Sequence, residues 1–370
     1  MSDRNIVHRL VVKIGASVLT DQSGRVIPER IEALAGQVAG CLRQQQQPVI
    51  VSSGAIACGM AALGVAQRPA GMAQLQACAA VGQGELMRLY TSAFGRHQVT
   101  TAQVLLTQED LANRRRFRNA KQTLLTLLHR HIVPIVNEND TVATDEITFG
   151  DNDRLAALVA ACLEAQLLIL LSDVDGLLKD GTLIERVETL NHAHHAAVHG
   201  VKRQTTTGGM ASKLEAARIV GHHGIPMVIA NGTRPSVLTE LLAGQPLGTL
   251  FVPPSHRLSP RKWWIAFSLR QPHGELVVDA GAAEALLERG KSLLPSGVVE
   301  VRGRFEAGAC VTMTDTSHRE VARGICNFSS TDLRRIRGLK STEAARALGH
   351  SKAREVVHRD HLVLAREIRA

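Results

Sequence analysis

Short β-branched runs alternate with longer segments of helical periodicity in the first part of the chain. Several runs are apolar at nearly every position, which is typical of strands buried on both faces of a parallel sheet. The segments between them repeat apolar residues at three- and four-residue spacing. The predicted strands are Arg9 to Ile14, Pro48 to Ser52, Thr101 to Leu106, Ile132 to Asn137, Leu167 to Ser172 and Ile225 to Ala230. The predicted helices are Pro28 to Gln44, Leu111 to Leu128, Asp153 to Glu164 and Met210 to His223. This alternation indicates an α/β domain with a mostly parallel sheet.

The pattern changes at Val252 to Pro260, where two proline breaks indicate a linker. Beyond it, Gly274 to Phe328 holds short strands separated by glycines, with one helix at Ala282 to Arg289, which indicates a small β-rich domain. A chain of 370 residues exceeds what one hydrophobic core usually organises. We therefore predict a large first domain at 1–252, a linker at 253–272, a second domain at 273–355 and a tail at 356–370.

Composition narrows the possible classes of protein. The chain is 45% hydrophobic and 21% charged, as globular proteins are, and no apolar run approaches the roughly 20 residues that span a bilayer. Met1 to His8 is polar and lacks the apolar segment of an export signal, so we expect a cytoplasmic protein without membrane contact. The six cysteines are widely spaced with no C-x-x-C pair, which favours reduced thiols over disulfides or a zinc site.

The net charge of +9 raises the question of nucleic acid binding. The excess of basic residues is spread along the chain and forms no basic tail. A mildly positive surface also suits an enzyme that handles an anionic nucleotide and an acidic substrate. Charge alone therefore does not decide between these classes.

Several motifs follow predicted strands, at the sheet edge where ligands bind in open α/β folds. Lys13 ends the first strand, and Gly15 opens a tight loop after it. Ser53 lies in a loop of small residues that lets backbone N–H groups approach an anion. Ser172 and Asp173 end another strand, where the carboxylate could bind magnesium, ribose or base. Taken singly, each motif also fits an ordinary surface turn.

Two further clusters are Asn137-Glu138-Asn139-Asp140 and Gly150-Asp151-Asn152-Asp153. Helix capping accounts for single Asx residues, but it does not explain both clusters. The segment 205–213, Thr-Thr-Thr-Gly-Gly-Met-Ala-Ser-Lys, combines hydroxyls, glycines, a helix start and a lysine, which predicts a phosphate site. Neither a Walker A motif nor a dinucleotide G-x-G-x-x-G is present.

In this order, Val-Lys-Ile-Gly-x-Ser, Ser-Ser-Gly-Ala-Ile, Asn-Glu-Asn-Asp, Gly-Asp-Asn-Asp, Ser-Asp-Val-Asp-Gly-Leu and Gly-Gly-Met-x-Ser-Lys resemble the motifs of the amino acid kinase superfamily. More narrowly, they resemble those of the glutamate 5-kinase family, and Gly274 to Gly338 is similar to its C-terminal PUA domain. The resemblance implies a three-layer αβα sandwich, the amino acid kinase fold, followed by a β-rich PUA-like domain. It also implies ATP-dependent phosphorylation of the γ-carboxylate of L-glutamate to γ-glutamyl phosphate, the first step of proline biosynthesis.

The same resemblance implies a role for each matching residue. Lys13 and Lys213 match the catalytic lysines that flank the transferred phosphoryl group, Asp153 matches the aspartate that orients them, and Asp151 is a candidate ligand of Mg²⁺. The residues that match the glutamate site are Ser53, Asn137, Asp140 and Asn152. The residues that match the ATP site are Lys13, Ser172, Asp173, Thr207, Gly208, Gly209, Met210, Ala211, Ser212 and Lys213.

The resemblance further implies Mg²⁺ with ATP, a homo-oligomer, and transfer of the product to glutamyl phosphate reductase, with proline as a candidate feedback inhibitor. The chain departs from the family pattern at Thr206, where a glycine is usual, at Leu178, where a tyrosine is usual, and at Ala309, where an acidic residue is common. The first two departures bear on nucleotide affinity, and the third bears on the detail of the PUA-like domain.

Two alternatives remain open at the level of sequence. One is another superfamily kinase that acts on aspartate, N-acetylglutamate, carbamate or a nucleoside monophosphate. The other is an RNA-binding protein that acts through the PUA-like domain and carries a vestigial kinase domain. Asn-Glu-Asn-Asp and the PUA-like segment favour glutamate as substrate, and the presence of Lys13, Asp153 and Lys213 argues against loss of activity.

Overall fold

The computed structural model describes residues 7–143, 151–190, 209–255, 257–267, 272–349 and 354–369. The chain divides into two compact units, Met1–Arg257 and Leu258–Ala370. Within the described ranges, no helix combines the length and the apolar character that crossing a bilayer requires.

The first unit contains an eight-stranded sheet in the order β3-β4-β2-β1-β5-β9-β10-β8. All neighbours from β3 to β9 are parallel, β10 runs antiparallel to β9, and β8 runs parallel to β10. The strands are β1 (Arg9–Ile14), β2 (Gln47–Ser52), β3 (Thr101–Leu106), β4 (Val133–Glu138), β5 (Leu167–Ser172), β8 (Arg186–Val187), β9 (Met227–Asn231) and β10 (Thr249–Phe251). A separate two-stranded ribbon pairs β6 (Leu178–Lys179) with β7 (Thr182–Leu183).

Helices cover both faces of this sheet. They are α1 (Ala16–Leu19), α2 (Pro28–Arg43), α3 (Ala55–Ala62), α4 (Met72–Gly95), α5 (Gln108–Ala112), α6 (Arg114–His129), α7 (Asp151–Cys162), α8 (Gly209–His223) and α9 (Val237–Leu242). Leu10, Val12 and Ile14 of β1 pack in one core with α2, α3, α4 and α9. Since side chains alternate along a strand, Val11 and Lys13 face the opposite layer, which holds α7 and α8. The three-layer αβα sandwich is thereby confirmed, and β1 lies near the middle of it.

Helices α3 and α4 approach each other at backbone contact. A Cβ atom at Gly59 would lie 1.8 Å from the carbonyl oxygen of Cys78, and one at Gly82 would lie 1.8 Å from that of Ala55. Only glycine permits this approach, because any side chain there would overlap the neighbouring backbone. Since α3 begins directly after the loop of Ser53, the contact fixes that loop against α4.

The second unit contains a five-stranded sheet in the order β12-β11-β13-β14-β15. Its core includes Leu276 and Val278 from the sheet and Leu286 and Leu333 from two of its helices. The strands are β11 (Gly274–Val278), β12 (Val298–Arg302), β13 (Cys310–Thr314), β14 (Glu320–Cys326) and β15 (Val357–Leu364). The helices are α10 (Pro260–Phe267), α11 (Ala280–Leu287), α12 (Ser330–Ile336), α13 (Ser341–Ala347) and α14 (Ala365–Arg369), with a short 3₁₀ turn at Pro295–Gly297.

Two parts of the second unit differ from the linker and tail predicted for it. Within the predicted linker lies helix α10, which buries Trp263, Ile265 and Phe267. The helix was not predicted, because its single apolar cluster is too short to show a helical period in sequence. The predicted tail at 356–370 forms β15, which pairs with β14 as an edge strand. The centre of this strand, His358 to His361, is polar, because an edge strand keeps one side in solvent. This polar run hides the strand pattern in the sequence.

Candidate active site

Three charged side chains from distant parts of the chain meet on the α7 and α8 side of the sheet. Lys13 lies near the carboxyl end of β1, Asp153 in the first turn of α7 and Lys213 in the second turn of α8. Lys13 Nζ lies 2.6 Å from Asp153 Oδ1, and Lys213 Nζ lies 3.2 Å from Asp153 Oδ2. Each carboxylate oxygen therefore receives one ammonium group. The structure thus brings together the three predicted catalytic residues.

All three side chains are buried. Burial lowers the pKa of Lys13 below its usual 10.5, against the opposing effect of Asp153, and Lys213 lowers that pKa further. Burial acts to raise the pKa of Asp153, but the two lysines outweigh it and hold the pKa of this carboxyl below its usual value. Two ammonium groups around one carboxylate leave a net positive charge in a desolvated place, which is a site for an anion.

The surroundings keep space beside this charge cluster. A Cβ atom at Gly15 would lie 3.6 Å from Lys13 Nζ, so a larger residue there would bring bulk close to the ammonium group. The backbone N–H of Gly15 donates to the carbonyl oxygen of Leu171 at 3.0 Å, which ties the loop after β1 to β5. The side chain of Ser212 donates to Asp153 Oδ2 at 2.7 Å. Ser212 thereby fixes the carboxylate from the first turn of α8, and helix N-termini are common binding sites for phosphate.

A second group of polar side chains forms a hydrogen-bonded chain of amides. Asn152 Nδ2 donates to Asn137 Oδ1 and to Ser53 Oγ, both at 3.1 Å. Asn137 Nδ2 in turn donates to Gln83 Oε1 at 2.8 Å. Because Asn152 directly precedes Asp153, this chain adjoins the charge cluster. Three of the four predicted glutamate-site residues, Ser53, Asn137 and Asn152, are therefore in contact.

The other predicted residues lie at the same sheet edge or beyond the described ranges. Asp140 follows β4 and is half-buried near Arg68, whose pKa is lowered by burial and raised by Asp140. Ser172 is buried at the end of β5, where its hydroxyl donates to Asp173 Oδ1 at 3.1 Å, and Asp173 is exposed. Gly209, Met210 and Ala211 begin α8. Thr207 and Gly208 lie outside the described residues, as does the side chain of Asp151.

Sequence reasoning missed several residues of this region. Gln83 belongs to a helix that was not predicted, and its only signal in sequence is a polar position between the buried Gly82 and Leu86. Arg154 links α7 to α8 through Glu215 at 3.3 Å and to α5 through Gln108 at 3.1 Å. Contacts of this kind couple helices that carry site residues, and no local pattern announces them.

The described residues also bear on metal binding. Among them, no group of three or more His, Cys, Asp or Glu side chains is arranged to hold a metal ion. The carboxylate of Asp153 forms ion pairs with two lysines. Asp173 is exposed, and it is close enough to Lys13 to raise the pKa of that lysine. Mg²⁺ is usually held by one or two carboxylates together with substrate phosphates. Asp173 fits such a role without a dedicated protein cage.

Comparison with known proteins agrees with this geometry. The model of the amino acid kinase family matches residues 8–231, and that of the PUA domain matches residues 274–348. A glutamate 5-kinase of Geobacter sp. (strain M21) is 48% identical over 365 residues, which cover 97% of this chain and 98% of that protein. A glutamate 5-kinase of Caldanaerobacter subterraneus subsp. tengcongensis is 44% identical over 363 residues, or 96% of this chain and 97% of that protein. This chain therefore belongs to the amino acid kinase family and, within it, to the glutamate 5-kinases.

Proposed function

We propose that this protein transfers the γ-phosphoryl group of ATP to the γ-carboxylate of L-glutamate. A carboxylate oxygen of glutamate forms a bond to the γ-phosphorus, the bond from that phosphorus to the β,γ-bridging oxygen breaks, and ADP leaves with the electron pair. The product is γ-glutamyl phosphate, the first intermediate of proline biosynthesis. The observation that carries the proposal is the pair of buried lysines on Asp153, in a member of the glutamate 5-kinases.

In this proposal Lys13 and Lys213 stabilise the charge that develops on the transferring phosphoryl group. Phosphoryl transfer requires positioning and charge stabilisation more than covalent chemistry from the protein. Asp153 holds both ammonium groups in place before the substrates arrive, so that little reorganisation is needed during the reaction. Ser212 supports Asp153 through its 2.7 Å hydrogen bond.

We assign glutamate to Ser53, Asn137, Asp140 and Asn152. Asp140 is the carboxylate of this group, which suits the substrate ammonium. The contacts among Ser53, Asn137 and Asn152, next to Asp153, support a shared binding surface beside the phosphoryl site.

We assign the ATP phosphates to Lys13 and to the segment Thr207 to Lys213, and the rest of the nucleotide to Ser172 and Asp173. The first turn of α8 supports this assignment, because helix N-termini bind phosphate. Mg²⁺ would arrive with ATP and neutralise phosphate charge, with Asp173 and Asp151 as candidate ligands. Action as a cytoplasmic homo-oligomer, inhibition by proline and transfer of the product to glutamyl phosphate reductase are further proposals that rest on the family resemblance.

A trapping assay tests the proposed reaction. Purified protein is incubated with Mg-ATP, hydroxylamine and one acceptor, because an acyl phosphate reacts with hydroxylamine to form a hydroxamate. We expect γ-glutamyl hydroxamate from L-glutamate and far less product from aspartate, which is one methylene shorter. N-acetylglutamate should also react poorly, since it has no ammonium for Asp140. Equal turnover of N-acetylglutamate and glutamate would contradict the assigned substrate.

A further inference from the structure

Gln83 is a buried polar residue of α4 that none of the predicted roles includes. Its neighbour Gly82 lies against the backbone of Ala55, so α4 cannot move away from the loop of Ser53 without losing that contact. The side-chain oxygen of Gln83 accepts a hydrogen bond from Asn137 Nδ2 at 2.8 Å. Gln83 therefore reaches the amide chain from a rigid part of the fold.

One backbone group fixes the direction of the Asn137 amide, and the directions of Gln83 and Asn152 follow from it. The backbone N–H of Glu138, which can only donate, lies 2.9 Å from the side chain of Asn137, so the atom facing it is Oδ1. The Nδ2 group of Asn137 must then face Gln83, which meets it with Oε1. The carbonyl oxygen of Ser52, which can only accept, lies 3.5 Å from Asn152 Nδ2 and favours the same direction for Asn152.

The direction of these amides determines which hydrogen-bonding groups the amide chain offers to a ligand. Asn152 uses its Nδ2 within the chain, and its Oδ1 is buried with no hydrogen-bond partner among the described residues. Ser53 Oγ accepts from Asn152, so the hydroxyl proton of Ser53 remains available to a further acceptor. One acceptor without a hydrogen-bond partner and one donor that can still be used match the ammonium and a carboxylate of a free amino acid.

We propose that Gln83 is a positioning residue of the substrate site, which holds Asn137 and through it Asn152 and Ser53 in the hydrogen-bond direction that a zwitterionic amino acid requires. This inference rests on the proposed function, because it takes Ser53, Asn137 and Asn152 as the glutamate site. Without the oxygen of Gln83, Asn137 Nδ2 would be a buried donor with no acceptor, and such a group favours rearrangement. Among the described residues, no hydrogen bond or ion pair joins Gln83 to Lys13, Asp153 or Lys213, so we expect the charge cluster to keep its arrangement.

The test replaces Gln83 by Met, which has a similar length and volume but cannot accept this hydrogen bond. We expect the KM for glutamate to rise about tenfold, as for the loss of one oriented hydrogen bond, while kcat and the KM for ATP stay within about twofold. Gln83→Glu keeps an acceptor oxygen and should restore the KM for glutamate to within about threefold of wild type. Gln74→Met, on an exposed position of the same helix, is the matched control and should leave all three constants unchanged.

A double-mutant cycle with Asn152→Ala separates positioning from direct binding. If Gln83 acts through Asn152, then Gln83→Met should add little to the KM of the Asn152→Ala variant, and the two effects should not be additive. If Gln83→Met fails to fold, Gln83→Asn takes its place, because the amide one methylene shorter cannot reach Asn137.

Three results would overturn the inference: an unchanged KM for glutamate in Gln83→Met, an equal rise in Gln83→Glu, or additive effects in the cycle. Failure of the proposed function is distinguishable from all three. In that case the wild-type protein itself would form no γ-glutamyl hydroxamate.

Discussion

Asp153 is the side chain on which the charge arrangement of the site depends. Each of its carboxylate oxygens forms an ion pair with one lysine, so removal of this carboxylate would leave two ammonium groups close together in a desolvated place. Breaking a buried ion pair on one side is costly, because the remaining charge has lost both water and its partner. The two lysines of this arrangement lead to two different predictions, one for the rate and one for the pH dependence of the reaction.

Lys213→Ala should lower kcat sharply while the protein stays folded. Loss of one preorganised donor to a transition state typically costs about 3 to 4 kcal/mol, or roughly a hundred- to a thousandfold in rate. Steady-state kinetics with glutamate and Mg-ATP measure the change, and circular dichroism checks the fold. The matched control is Lys121→Ala, which removes only a surface pair to Glu164 and should leave kcat unchanged. A near-normal kcat with weakened ATP binding would show that Lys213 only binds the nucleotide.

The lowered pKa of Lys13 predicts a limit to activity on the alkaline side. Lysine is charged below its pKa, so Lys13 loses its charge as pH rises through a value lower than 10.5, and kcat/KM should fall there. Because Asp153 raises the pKa of Lys13, Asp153→Asn should move this alkaline limb to still lower pH and also reduce the rate. The pH profiles of kcat/KM for both proteins test this. A limb that moves to higher pH in Asp153→Asn would contradict the assigned electrostatics.

For single residues of the site, the sequence allowed a prediction where residue type and motif order carried the signal. Lys13, Asp153 and Lys213 were predicted as one group, and the structure joins them within hydrogen-bonding distance. Their distances could not be predicted, because they depend on how β1, α7 and α8 pack. Gln83 was missed for the same reason, since its partner Asn137 lies 54 residues away along the chain.

Among the secondary-structure elements, helices α3 and α4 show how packing can override local propensity. Neither was predicted, although α4 is 24 residues long. Its glycines lower helix propensity and its small residues blur the apolar face, yet the glycines are what allow the two helices to touch. Six strands of the first unit were predicted because they are short, apolar and bounded by turns, whereas the two- and three-residue strands β6, β7, β8 and β10 were not. The single helix predicted at Leu111 to Leu128 is broken at Asn113, whose side chain caps α6 by accepting from Arg115 and Arg116.

Two glycines of α4 should respond in opposite directions to the same substitution. Gly82→Ala places a methyl group against the carbonyl oxygen of Ala55 and should destabilise the protein by roughly 1 to 3 kcal/mol. It should also raise the KM for glutamate, because it displaces Gln83 and the loop of Ser53. Gly84→Ala meets no atom within 4 Å and should stabilise the helix by about 0.5 to 1 kcal/mol. Denaturant unfolding measures both, and a stable Gly82→Ala would disprove the close contact.

For the whole molecule, the two units have separate hydrophobic cores. Every residue assigned to glutamate, ATP or phosphoryl transfer lies between Lys13 and Lys213, in the unit Met1–Arg257. A chain that ends at Arg257 should therefore fold and keep a kcat within about threefold of the full chain, because each unit buries its own core. Ending the chain there is preferable to a site inside α10, which buries Trp263 and Phe267.

Circular dichroism and the hydroxamate assay on the 1–257 fragment give the result, with the fragment 258–370 as a control that should fold and show no activity. A folded but inactive 1–257 fragment would mean that the second unit completes the active site. Changed oligomerisation or inhibitor response with an intact kcat would instead assign the PUA domain to regulation.

The central position of β1 has a consequence for synthesis on the ribosome. This strand is made before the other strands of its sheet, yet Leu10 pairs with Leu167 of β5, and the charge cluster around Asp153 is complete only after Lys213 has been made. At roughly 5 to 20 residues per second, the interval between the two lysines is on the order of ten to forty seconds. During that time the apolar strand has no complete sheet to join, so its apolar side chains are exposed to aggregation. Because the proposed reaction uses both lysines, we expect phosphoryl transfer to begin only after Lys213 has been made and the first unit has folded.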